Sequence, residues 1–205
     1  MDEQSACVIR AQQGSDEAFT ELVEAYQTRV YNLCYRMLGQ HEAAEDAAQE
    51  TFLRAYQYLH RYDCRRPFAT WLLSIAAHYC IDGLRRRRYS TMAVDHGQET
   101  GYLELADAHA PNPESEVARS EQRGQIQALL KRLDSIDRAV IVMRYWHECP
   151  EAEIADSLDL TVSAVKSRLF RARRELAGLW PVESTAGPAV FTGAASLRQG
   201  AVSAS

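Results

Sequence analysis

The chain has 205 residues, with 28 acidic against 23 basic side chains, a formal net charge of −5 and 46% apolar residues, so it can bury a core as one large or two small soluble domains. No apolar run approaches the roughly 20 residues of a membrane span, since Ser74 and His78 interrupt even Trp71 to Ile81, and Met1 to Arg10 lacks the basic head and apolar middle of a signal peptide. The chain is therefore expected in the cytosol, and its cysteines, Cys7, Cys34, Cys64, Cys80 and Cys149, odd in number and without a CxxC pair, argue against a disulfide framework and a zinc knuckle and read as reduced, mostly small core residues.

From Asp16 to about Tyr62 the sequence is rich in helix formers. Phe19, Leu22, Val23, Tyr26, Val30, Leu33 and Met37 recur at spacings of three and four, and Gly39 stands where a helix stops. A second helix from His41 turns Ala44, Ala47, Ala48, Thr51, Phe52, Ala55 and Leu59 inward. The segment Arg61 to Arg66 breaks the pattern, and Pro67 then suits the first turn of a third helix. That helix buries Phe68, Trp71, Leu72, Ile75, Ala76 and Tyr79 and ends in Arg85 to Arg88.

Tyr89 to Pro113 loses periodicity and collects Gly, Asp, His and Asn, so it reads as an acidic flexible linker, overlapping a mainly acidic stretch that runs from Asp95 to Glu121. Helical pattern resumes at about Glu114 and runs through Ile126, Leu129, Leu130 and Leu133. Asp137 to Trp146 and Pro150 to Leu158 are two further helices. Beyond Trp180 the tail is mostly Ala, Gly, Ser and Val, a composition too poor in bulky apolar residues to fold alone. The predicted fold class is all-α, with helical domains over 1–88 and 114–180, a linker over 89–113 and a disordered tail over 181–205.

The run Glu153 to Lys166 fits two short helices joined by a tight turn. Ala155 is small where helices cross, Asp159 tolerates a left-handed turn, and Thr161 can cap the second helix. On that helix, Thr161 to Leu176, the residues Val162, Val165, Leu169, Ala172 and Leu176 form the packing face. The opposite face presents Ser163, Lys166, Ser167, Phe170, Arg171 and Arg174, an arrangement suited to base edges, thymine methyls and phosphates in a major groove. Local clusters of cations outweigh the acidic average, because the local field decides what a face attracts.

Three motifs, in order, resemble the sigma factors of bacterial RNA polymerase, and in particular the extracytoplasmic function group that keeps only regions two and four. They are Ala44 to Leu53, Pro67 to Ala76 with Asp82 and Arg85, and Val165 to Arg173, and the likeness spans Ala18 to Ala177. The resemblance implies promoter-specific initiation, without enzymatic activity or cofactor. Its implied partners are the large catalytic subunits of core RNA polymerase, promoter DNA and an anti-sigma factor, with no membrane insertion.

By that resemblance, Asp46, Gln49, Glu50, Phe52 and Leu53 dock on polymerase. Arg61, Asp63, Arg65, Arg66, Trp71, His78, Tyr79, Asp82, Arg85 and Arg86 serve the minus-ten element and melting. Ser163, Lys166, Ser167, Arg168, Phe170, Arg171, Arg173 and Arg174 read the minus-thirty-five element. Trp71 lies on an apolar stripe and reads as core more than as a base platform, and His78 stands where the family commonly has asparagine. His41-Glu42 lacks the second histidine of HExxH, so no metal is expected. The rival reading is a two-domain helix-turn-helix regulator that binds an operator without polymerase. It leaves Arg61 to Arg88 and the Asp46 motif unexplained.

Overall fold

A computed structural model describes the backbone of residues 3–93 and 113–179 and the side chains of 5–88 and 123–179. The predicted tail and most of the predicted linker lie outside the described residues. Those described form eight α-helices, one 3-10 turn and no strand.

The N-terminal group is α1 (Glu3–Gln12), α2 (Asp16–Leu38), α3 (His41–Tyr58), a 3-10 turn (Leu59–Arg61) and α4 (Phe68–Ala93). Ser15 starts α2 by accepting the Ala18 amide at 3.2 Å, with Asp16 and Glu17 complementing the helix dipole. Gly39, at φ 71°, ends α2 by donating to the Tyr35 carbonyl at 2.8 Å. The core joins Leu22, Val30, Leu33 and Met37 of α2 to Leu72, Leu73, Ala76 and Ala77 of α4. Ala44, Ala47 and Ala55 let the α3 backbone lie close to both helices. Two boundaries differ from the sequence expectation. The first helix, α1, packs Cys7, Val8 and Ala11 on α2, and α4 continues past the four arginines to Ala93.

The C-terminal group is α5 (Pro113–Arg132), α6 (Ser135–Tyr145), α7 (Glu151–Ser157) and α8 (Val162–Leu179). Asp134 caps α6 by accepting the Ile136 amide at 3.2 Å. Six successive residues of α6, Arg138 to Met143, are buried because α6 has α8 on one side and α2 and α4 on the other. The two groups therefore pack directly on each other.

Candidate nucleic-acid and polymerase interface

The helix-turn-helix is built as its residues require. Ala155 is buried at the crossing, Asp159 takes the left-handed conformation at φ 53°, and the Thr161 hydroxyl accepts the Ala164 amide at 3.1 Å. Val165, Leu169, Ala172 and Leu176 are buried, whereas Val162, expected on the same packing face, is exposed in the first turn, where α8 has just left the turn. Phe170 is 49% exposed amid Lys166, Ser167, Arg171 and Arg174, and Ser163 is exposed in the first turn. Lys166 lies 3.9 Å from Glu151 across the turn. Two of the predicted DNA contacts sit elsewhere. Arg168 is mostly buried in an ion pair with Asp137 of α6, and half-buried Arg173 donates to the Leu169 carbonyl at 3.2 Å.

On α3 the outer face carries Asp46 and Gln49, both exposed, with Leu53 at 60% exposure, while Glu50 is tied to Arg54 at 2.7 Å. Phe52 is half-buried in a groove of about 390 Å³ between α2 and α3, beside Val23, Tyr31 and Ala48. An apolar edge thus borders a polar strip, which suits a protein partner's helical surface.

The turn before α4 is ordered by its own residues. Asp63 accepts the Arg65 amide at 3.0 Å and pairs with its guanidinium at 2.9 Å, which lowers the Asp63 carboxyl to about 2. Trp71 is half-buried against Tyr62, with ring centroids 4.9 Å apart, and against Phe68. Burial raises the Tyr62 hydroxyl to about 12, and that hydroxyl donates to the Arg66 carbonyl. Half-buried Tyr79 lies under the Arg54 guanidinium at 4.9 Å, whereas Arg61, His78, Asp82, Arg85 and Arg86 are exposed. His78 bonds the Ser74 carbonyl through Nδ1 at 2.9 Å.

The seam between the two helical groups adds to the buried side of α6 a set of polar ties that no periodicity marks in the sequence. Arg138 donates to the Met37 carbonyl at 2.6 Å and to the Leu133 carbonyl at 3.3 Å, and Gln127 donates to the Tyr35 carbonyl at 2.7 Å. These α2 carbonyls belong to its last turn: the Tyr35 carbonyl accepts from both Gly39 and Gln127, and the Met37 carbonyl from Arg138, so side chains of the second domain help cap α2 of the first. Arg29 donates to the His147 carbonyl at 3.1 Å, and the Arg36 guanidinium lies 5.0 Å from the Trp146 ring centroid. At the other end Thr70 donates to Glu153, and Arg66 lies 3.8 Å from Asp156.

His147 is buried in that seam with neither ring nitrogen partnered. Burial first, then Arg29 and Arg36, lowers it to about 4 from its usual 6.5. It is therefore neutral when folded, and the unfolded chain binds the extra proton between these values. Its contribution is full above about pH 6.5 and is lost as the pH falls toward 4, a loss of about 3 kcal/mol. Denaturant titrations from pH 7 to 4.5 are expected to show a drop in stability that His147→Gln shows to a much smaller degree.

Comparison with known proteins decides what this arrangement is. The family profile Sigma-70 region 2 matches residues 22–89, and Sigma-70, region 4 matches 123–176. The ECF RNA polymerase sigma factor SigW of Bacillus subtilis (strain 168) is 37% identical over 173 residues, covering 82% of this chain and 92% of that protein. The chain belongs to the ECF sigma factors. As such it serves promoter-specific initiation of transcription, and a regulator that used only a helix-turn-helix would leave the region 2 match without a purpose. The structure of CnrH in complex with the cytosolic domain of CnrY is similar at a TM-score of 0.65 and 26% identity, over 89% of this chain and 100% of that one. RpoE in complex with the anti-sigma factor NepR, from Bartonella quintana, shares the fold at a TM-score of 0.63 and 18% identity, over 81% of this chain and 98% of that one. No described helix of this sigma factor is long and apolar enough to cross a membrane.

Proposed function

We propose that the two domains of this sigma factor, over 1–88 and 114–180, divide the promoter between them and that neither carries out catalysis. The observation that carries this is the exposed basic face of α8, with Phe170 among Lys166, Ser167, Arg171 and Arg174, on a chain whose other half matches region 2. That face reads the minus-thirty-five element in the major groove. Arg168 supports it from behind, through Asp137, by fixing α8 on α6.

The outer face of α3, with Asp46, Gln49, Phe52 and Leu53, docks on the large subunits of core polymerase, and Glu50 orients Arg54. The minus-ten element and its melted strand fall to Arg61, Arg65, Arg66, His78, Asp82, Arg85 and Arg86. Asp63 acts by holding Arg65, while Trp71 and Tyr79 stiffen the base of that surface more than they hold bases. The relative CnrH is solved with a bound protein, CnrY, which supports an anti-sigma partner for this chain too. The work takes place in the cytoplasm, where polymerase and DNA are.

The test is reconstitution. The pure chain mixed with sigma-free core polymerase and a promoter fragment is expected to form a complex and yield a transcript; failure to associate, with tight operator binding by the chain alone, would overturn the proposal. In the same assay Arg171→Ala is expected to weaken use of promoters with a minus-thirty-five element by about tenfold, as loss of a base or phosphate contact of about 1–3 kcal/mol would. Polymerase binding should be unchanged; a loss there would contradict the division of roles.

A further inference from the structure

Where the end of α4 meets the α5–α6 corner, the two domains enclose a cleft of about 500 Å³. Arg85 and Arg88 reach it from α4, Lys131 and Arg132 from α5, and Arg138 from α6, against one carboxylate, Asp134. Asp134 is already engaged as the α6 cap. Among the described residues Arg85, Arg88, Lys131 and Arg132 have no acidic partner.

Arg138 is the informative member. It is only 6% exposed, and although its terminal nitrogens serve two carbonyls, its Nε is buried with no hydrogen-bond partner. A buried guanidinium N–H left unmatched is costly, and an anionic acceptor would satisfy it. Five cations around one occupied carboxylate repel one another, so the cleft gains most from a ligand of concentrated negative charge.

We propose that this interdomain cleft binds a small polyphosphate anion, of the class of a nucleoside triphosphate. Its volume falls in the range of small-ligand sites, about 300–1,000 Å³. Duplex DNA, whose phosphates lie on a convex cylinder, cannot bring one to a side chain as deeply buried as Arg138. Because both domains supply cations, the bound anion also favours the packed arrangement over the separated one.

Calorimetric titration of the full chain with inorganic tripolyphosphate and with GTP tests the site. One-to-one binding of both is expected. It should weaken about tenfold in Arg88→Ala and in Arg132→Ala, both exposed positions whose loss spares the core, and more in Arg138→Met. Arg171→Ala, on the far recognition face, should bind as the parent does. The proposal is overturned if neither anion binds at millimolar concentration, if Arg171→Ala weakens binding as much as Arg88→Ala does, or if short duplex DNA competes the tripolyphosphate away from the parent chain. The last result would make these arginines a backbone-phosphate surface instead.

Discussion

Leu53→Asp is expected to weaken binding to core polymerase by about thirtyfold or more while leaving the thermal midpoint of the free protein within a degree or two. Leu53 is the most exposed large apolar side chain described, so its removal costs the isolated fold little. It lies one helical turn after Gln49 and next to the half-buried Phe52, on the face proposed for docking. A buried apolar anchor at the centre of an interface contributes about 2 kcal/mol or more, and a carboxylate in its place is desolvated without a partner. The check is a competition assay between variant and parent for sigma-free polymerase, with circular dichroism as the folding control. Equal competition would remove α3 from the docking surface.

The helix-turn-helix was legible because its signals are local. Ala155, Asp159 and Thr161 each do at one position what a crossing, a left-handed turn and a cap demand, and the structure puts each to that use. The stripe on α2 was legible for a related reason, since a helix with one solvated side must space its apolar residues at three and four. Helix α6, expected over Asp137 to Trp146 and found over Ser135–Tyr145, was legible as a helix but not in which face it buries. Packed on two sides, it buries six residues in succession, and a continuous buried run has no periodicity to read. Helix α1 was not legible at all: three small or medium side chains, Cys7, Val8 and Ala11, are too few to stand out in a polar segment.

Within the site, helical phase placed Lys166, Ser167, Phe170, Arg171 and Arg174 outward correctly. It could not show that Arg168 turns to Asp137, because that pairing depends on how α6 lies against α8. The seam was invisible for a deeper reason. Arg138, Gln127 and Arg29 donate to main-chain carbonyls of the other domain, and every residue type offers a carbonyl, so no complementary side chain marks the partner. The seam can open where a partner offsets the apolar burial of α6, since each freed carbonyl and guanidinium exchanges its bond for water at a net cost of only about 1 kcal/mol.

That reversibility leads to the prediction with the largest structural amplitude. Elements at minus ten and minus thirty-five lie about 25 base pairs apart, which is about 85 Å along B-form DNA at about 3.4 Å per pair. Here Arg66, beside α4, lies 3.8 Å from Asp156 of the helix-turn-helix, and Thr70 bonds Glu153. The packed chain cannot span both elements, and its helix-turn-helix lies against Arg66, part of the surface proposed for the minus-ten element. Dyes on exposed Cys64 and on Ala152→Cys of α7 are therefore expected to show nearly complete energy transfer in the free chain and little in the polymerase–promoter complex. Arg138→Glu, which sets a carboxylate against the carbonyl end of α2, should lower transfer without polymerase. Glu153→Gln combined with Asp156→Ala should do so more weakly, by releasing only one end of the seam. Transfer that stays high on the promoter would mean that the chain reads one element at a time, and transfer already low in the free chain would mean that the seam does not hold in solution.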